Sequence, residues 1–190
     1  MCARTAYSPQ LSPHTWLAEF MQAVLYTMNE GHDTVFVIQR KDNLQEYIST
    51  KCVFDAKLTK DLMLLLIDTH NHEHQTRFIW INEHGYIMGI NSTWNNLFYT
   101  TGYDKEADQE SMWKSYALHA THKTDALILK VNAFTRTFDF ATQGTTFEHV
   151  TTDHLHYLLK KYLLHTTHTH NVYDSYKPQH VYDHKKEREL

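Results

Sequence analysis

The sequence predicts an α+β (mixed α/β) fold, a single domain whose central twisted mixed sheet is flanked by helices. Three observations carry this. Val35-Phe36-Val37-Ile38 is a short, continuous apolar run rich in β-branched residues, the pattern of a buried strand. Leu58, Leu62, Leu65 and Leu66 then recur at helical spacing. Phe78 to Ile81 and Tyr86 to Asn91 are apolar runs separated by the turn signal Asn82-Glu83-His84-Gly85, which reads as a β-hairpin. With 190 residues, 42% of them hydrophobic, the chain can bury one core, and one domain is expected.

Taken in order, residues 1–12 form a polar lead-in with Pro9, and Ser12-Pro13 reads as a helix start. Trp16, Leu17, Phe20, Val24 and Leu25 give a helix from Pro13 to Asn29, stopped at Asn29-Glu30-Gly31. The Val35 strand follows, and Gln39 to Asn43 return the chain to water. Leu44 to Thr50 reads as a short helix with Leu44, Tyr47 and Ile48 on one face. Phe54-Asp55-Ala56 leads into the leucine helix, capped by Thr59 or Asp55. After the polar loop from Asp68 and the hairpin, Ser92 to Gly102 is aromatic and polar, and Asp104 to Ser111 is charged. Met112 to Leu118 reads as helical, Asp125 to Val131 as a strand, and Thr135 to Ala141 as a half-buried strand broken by Gln143-Gly144. Thr151 or Thr152 caps a last helix through Leu155, Leu158, Leu159 and Leu163. Residues 13–164 are thus expected to be the folded domain. Residues 165–190, rich in histidine and charge, are expected to be a polar extension.

A formal charge of −4 and a pI near 6.4 give no overall attraction to nucleic acid or anionic membrane, so neither is an expected partner. No apolar run approaches a membrane span, Met1 to Gln10 lacks a signal-peptide core, and two cysteines make no disulfide framework. A reducing, cytoplasmic setting is expected, with Cys52 buried rather than reactive. The 16 histidines stand out. His70, His72 and His74 alternate, so an extended chain presents them on one face, with Asp68 or Glu73 able to complete a ligand set. His165, His168 and His170 form a second cluster. A divalent metal is compatible with either cluster and required by neither, and the sequence names no cofactor. His119-Ala-Thr121 and His165-Thr-Thr167 resemble the paired His-x-Thr motifs of 2H phosphoesterases, in which one histidine acts as base and the other as acid. No Gly-x-x-x-x-Gly-Lys phosphate loop is present.

Several blocks, read together, resemble the diadenylate cyclase domain, a family that joins two ATP molecules into cyclic di-AMP. The first is the apolar strand, Ile38-Gln39-Arg40, Leu44-x-x-Tyr47-Ile48 and Phe54-Asp55-Ala56-x-Leu58-Thr59-x-x-Leu62. Thr124-Asp125-Ala126 before a strand, the next hairpin, Gly144 and a Thr-x-x-x-Leu helix continue it from Pro13 to Leu164. In that family an Asp-Gly-Ala motif binds nucleotide and metal, an Arg-His-Arg motif holds phosphates, and a Ser-Glu-Glu segment supplies a metal-binding carboxylate. Counted collinearly, these fall on Thr76-Arg77-Phe78, Trp113-Lys114-Ser115 and Asn132-Ala133-Phe134, so all three motifs are absent. A threonine or asparagine cannot replace a metal-binding carboxylate, and no catalytic residue is carried over.

The resemblance therefore implies a catalytically degenerate, cyclase-like module that senses a nucleotide or cyclic dinucleotide, and a homodimer. Candidate nucleotide-binding residues are Thr76, Arg77, Trp80, Trp113, Lys114 and Asn132. Arg77 and Lys114 would meet phosphate, and Trp80 or Trp113 would stack on a base. Packing in the sheet for Trp80 and solvated surface charge for Arg77 and Lys114 are the competing roles. The alternatives are a structural or protein-interaction domain with the pocket lost, and a phosphodiesterase built on His119 and His165.

Overall fold

The computed structural model of the chain describes residues 13–68, 77–95 and 109–164. Among these residues the elements run α1 (Pro13–Asn29), β1 (Thr34–Gln39), β2 (Ile48–Lys57), α2 (Lys60–Asp68), β3 (Arg77–Asn82) and β4 (Tyr86–Trp94). They continue with α3 (Gln109–Lys123), β5 (Leu127–Asn132), β6 (Thr137–Thr142), β7 (Thr145–Val150) and α4 (Thr152–Leu164). The strands form one seven-stranded mixed sheet in the order β2-β4-β3-β1-β5-β6-β7. Only β1 and β3 run parallel, and every other neighbouring pair is antiparallel. This is the mixed α/β architecture the sequence predicts. No helix among the described residues is long and apolar enough to cross a membrane.

Helices cover both faces of the sheet. On one face, Trp16, Phe20 and Val24 of α1, Met63 and Ile67 of α2, and Leu155, Leu158 and Leu159 of α4 pack on Phe36, Ile38, Ile79, Ile81, Leu129 and Phe140. On the other, Trp113, Ala117 and Ala120 of α3 pack on Val35, Val37, Phe78, Trp80 and Ile128. The alternation along β1 sends Phe36 and Ile38 one way and Val35 and Val37 the other, so its apolar run is continuous because both faces are buried.

The expected starts and stops hold at several ends. Gly31, at φ +77°, closes α1 in a Schellman motif: its N–H donates to Met28 O at 3.3 Å and that of His32 to Thr27 O at 2.9 Å. Thr59 caps α2, its Oγ1 accepting the Leu62 N–H at 3.2 Å, while Glu19 of α1 accepts the Lys60 N–H at 2.7 Å. Asp55, the other candidate cap, lies within β2. Thr151 caps α4, its carbonyl accepting from Leu155 N at 2.8 Å.

Two expectations are corrected. Leu44 to Thr50 is not a helix: Tyr47 and Ile48 donate to Leu44 O in one turn, and the chain then enters β2, which runs through Phe54-Asp55-Ala56. The reason is tertiary, since β2 is an edge strand held in place by β4 and has one largely open face. Cys52 lies on that strand and is exposed, not buried.

The β3–β4 turn is fixed by α1. Gly85 sits at φ +75°, its carbonyl accepts the Leu58 N–H at 2.8 Å, and the Trp16 side chain lies against it. A Cβ at Gly85 would overlap Trp16 and force an L-residue into the left-handed region. Gly85→Ala is expected to destabilise the protein by about 2–4 kcal/mol, read by urea unfolding. A cost under about 0.5 kcal/mol, the level of an ordinary surface change, would mean that α1 does not clamp this turn.

Candidate functional site

One end of the sheet gathers the positions where the cyclase motifs would fall. Thr34 opens β1, with Arg77 of β3 beside it on one side and Val131 of β5 on the other, and Asn132 ends β5 one residue further on. Trp113, early in α3, crosses the same end, with the Lys130 Nζ 5.5 Å from its ring centroid. The backbone of Arg77, and Trp113, Lys114 and Asn132, are therefore brought to one end of the sheet. Thr76 lies outside the described residues, as do His70, His72, His74, His165, His168 and His170. Trp80 is deeper, opposite Val37 on β1.

The two tryptophans proposed as stacking platforms are core residues, Trp80 being 6% and Trp113 8% exposed. Trp80 Nε1 is a buried donor with no partner among the described residues. Aromatic surface nearer to solvent comes instead from Trp94 and Tyr116, both half-buried, stacked at 5.7 Å with planes 10° apart and with Phe78 edge-on to Trp94 at 5.0 Å.

The polar groups of this end are organised by a bulge. Phe138 pairs with Val150 and Phe140 with Phe147, so Glu148 and His149 both face the single residue Asp139. His149 takes φ 53°, and its freed N–H donates to Asp139 Oδ1 at 3.0 Å. Asn132 Nδ2 donates to Asp139 Oδ2 at 2.6 Å, so both oxygens of this buried carboxylate are engaged. Glu148 is thereby presented to α3 and pairs with Lys114. The preceding turn is held from α1 and its exit: Ala133 N donates to Asp33 Oδ1 at 2.8 Å, and the Arg136 guanidinium to Asn29 Oδ1 at 2.8 Å. Phe134, at the Ser-Glu-Glu position, is 99% exposed.

Chemically, this end offers two ammonium groups, the carboxylates of Asp139 and Glu148, an amide bound to the first of these, and aromatic faces. No three His, Cys, Asp or Glu side chains among the described residues come together as a metal site. Sequence reasoning did not single out Lys130, Asp139 or Glu148, although a lysine inside Leu127-Ile128-Leu129-Lys130-Val131 and an aspartate between Phe138 and Phe140 are local anomalies that could have flagged two of them.

Of the two His-x-Thr motifs, the second lies outside the described residues, and in the first the two side chains do not share one solvent-facing surface. His119 is exposed, whereas Thr121 is buried, donating to Ala117 O at 2.7 Å and accepting the Gly144 N–H at 3.2 Å. Partial burial, with Lys123 and His122 nearby, holds the His119 imidazole below the usual histidine range.

Hydrogen bonding from Lys114, and its charge, hold the Glu148 carboxyl below its usual range. The stability this pair contributes is present above the unfolded carboxylate pKa and is lost as pH falls through the lower folded value. Both partners are solvated, so the contribution is small. Lys114→Ala should move the Glu148 midpoint upward in a carboxyl 13C NMR titration, and an unmoved midpoint would show that the pair does not persist in solution. Asp139→Ala should cost about 1–3 kcal/mol in urea unfolding, because it strands the His149 N–H and the Asn132 amide. A near-neutral result would mean that water replaces the carboxylate.

No family model and no curated protein matches this sequence. Among solved structures, the chain is similar to DacA from Staphylococcus aureus, crystallised as a double mutant, with a TM-score of 0.62 and 16% identity over 79% of this chain and 96% of that one. It is also similar to a hypothetical membrane spanning protein from Bacillus cereus, with a TM-score of 0.53 and 23% identity over 69% of this chain and 61% of that one. DacA is a diadenylate cyclase, and the fold of this chain is diadenylate-cyclase-like.

Proposed function

We propose that this chain is a catalytically inactive, cyclase-like module that binds a nucleotide or cyclic dinucleotide and passes the bound state to a partner, as a homodimer. One observation carries the reading. The positions of the lost cyclase motifs meet at one end of the sheet, where cations remain and the buried carboxylate, Asp139, is already bound on both oxygens. Phosphoryl transfer needs a metal to neutralise the phosphates and a group to position the attacking hydroxyl, and Asn132 supplies no charge for that metal. Binding asks only for cations and apolar surface, which this end has.

A second reading, an interaction domain with its nucleotide pocket closed, draws support from the burial of Trp80 and Trp113 in the core. Titration calorimetry against ATP and cyclic di-AMP, with and without Mg2+, separates the two when chromatography follows the nucleotide in parallel. Binding without turnover is expected, weakened about tenfold by Lys114→Ala or Arg77→Ala, the usual scale for one charged hydrogen bond. Turnover would overturn the inactive assignment, and the absence of binding would leave the interaction domain.

A further inference from the structure

We infer that Lys130 is the phosphate ligand of this site, its ammonium holding the anionic group of whatever binds there. The inference rests on the proposed nucleotide site and names the residue that would do the holding, one outside all three positions of the lost motifs.

Lys130 lies inside β5 with Leu129 and Val131 on either side, and both of these point into the core of the opposite face. Its own side chain shares the α3 face with Ile128 and Trp113 and is half-buried. Val35 lies opposite it on β1 and Asp139 opposite it on β6. That aspartate is the carboxylate opposite in register, yet among the described residues it makes no direct ion pair with Lys130 and accepts instead from Asn132 and from the His149 N–H. The ion pairs among the described residues are His84 with Glu83 and Lys114 with Glu148, and neither includes Lys130. The two lysines beside Trp113 therefore differ. Among the described residues, Lys114 is ion-paired with a carboxylate, while Lys130 lies over the indole face and makes no ion pair.

A half-buried ammonium that makes no direct ion pair still has N–H donors to give, and an aromatic face does not use them up. A phosphate oxygen arriving at this end would supply a direct charged acceptor, and the aromatic contact keeps the long side chain in place before it arrives. A lysine needed only for packing would have no use for its charge, because its methylene stem does the covering. That distinction makes the inference testable.

The full chain would be titrated with ATP and, separately, with inorganic tripolyphosphate, each at low and high salt, as wild type, K130M and K130R. Methionine keeps an apolar stem against Trp113 and removes the charge. K130M should lose about tenfold or more in affinity for both ligands, and K130R should stay within about threefold of wild type. Wild-type binding should weaken with salt, more steeply than that of K130M. The melting temperature of K130M should not fall. Should it fail to fold, 13C-methylated lysines in wild type provide the readout, the Lys130 signal shifting on addition of tripolyphosphate.

Equal ATP affinity in wild type and K130M, or an unmoved Lys130 signal, would overturn this inference and leave the nucleotide reading intact. Lys130-dependent binding of tripolyphosphate without ATP binding would support the anion site and remove the nucleotide. Binding of neither ligand by wild type would remove both.

Discussion

Everything in this fold hangs on β1 being buried on both faces. Such a strand has no water to satisfy its backbone, so β3 and β5 must pair with it along its length. It must be apolar on both sides, which demands helices above and below the sheet. Because β3 runs parallel to it, the chain must cross over between them, and β2 and α2 fill that crossing. The parallel neighbour on one side and the antiparallel one on the other bring the start of β3 and the end of β5 to the same end of the sheet. A candidate site forms there as a consequence of strand direction.

The two ends of the sheet are used differently. At the far end, Asp125 accepts the N–H groups of Lys41 and Asp42, while Asp42 accepts the N–H of Asp125. Thr124 turns the chain from α3 into β5 with its hydroxyl on Ala120 O. The Thr-Asp-Ala block that carries much of the family resemblance is thus a clamp between two loops. The block serves the scaffold, and the chemistry of the near end is separate from it.

What could be read in the sequence follows the strength of local periodicity. Helix α1 has bulky apolar residues at helical spacing and a glycine stop, and its predicted bounds match those observed. The β3–β4 hairpin and β5 were legible for the same reason. Strand β2 was not, because an edge strand with one open face leaves Ile48 to Lys57 without a firm alternation, and Leu44 to Ile48 imitates a helix for one turn. The candidate site could be put forward from the sequence as positions but not as contacts. Collinear order put forward Arg77, Trp113, Lys114 and Asn132, which the fold brings to one end of the sheet. The partnership of Asn132 with Asp139, of Lys114 with Glu148 and of Lys130 with Trp113 depends on strand register and on a bulge, which no local pattern encodes.

The strand order also constrains how the molecule can be assembled. Strand β1 is made early, yet its antiparallel partner begins at Leu127, long after β1 ends at Gln39. Closing that pairing means ordering a long intervening loop, which slows folding. During synthesis this strand must wait, with α1 as the nearest cover for one face and the short segment from Leu44 to Ile48 for part of the other. Helix α3 and β5 emerge together and would close both the rest of that face and the open edge at a later step, so a late-docking piece is also the one that carries Trp113, Lys114 and Lys130.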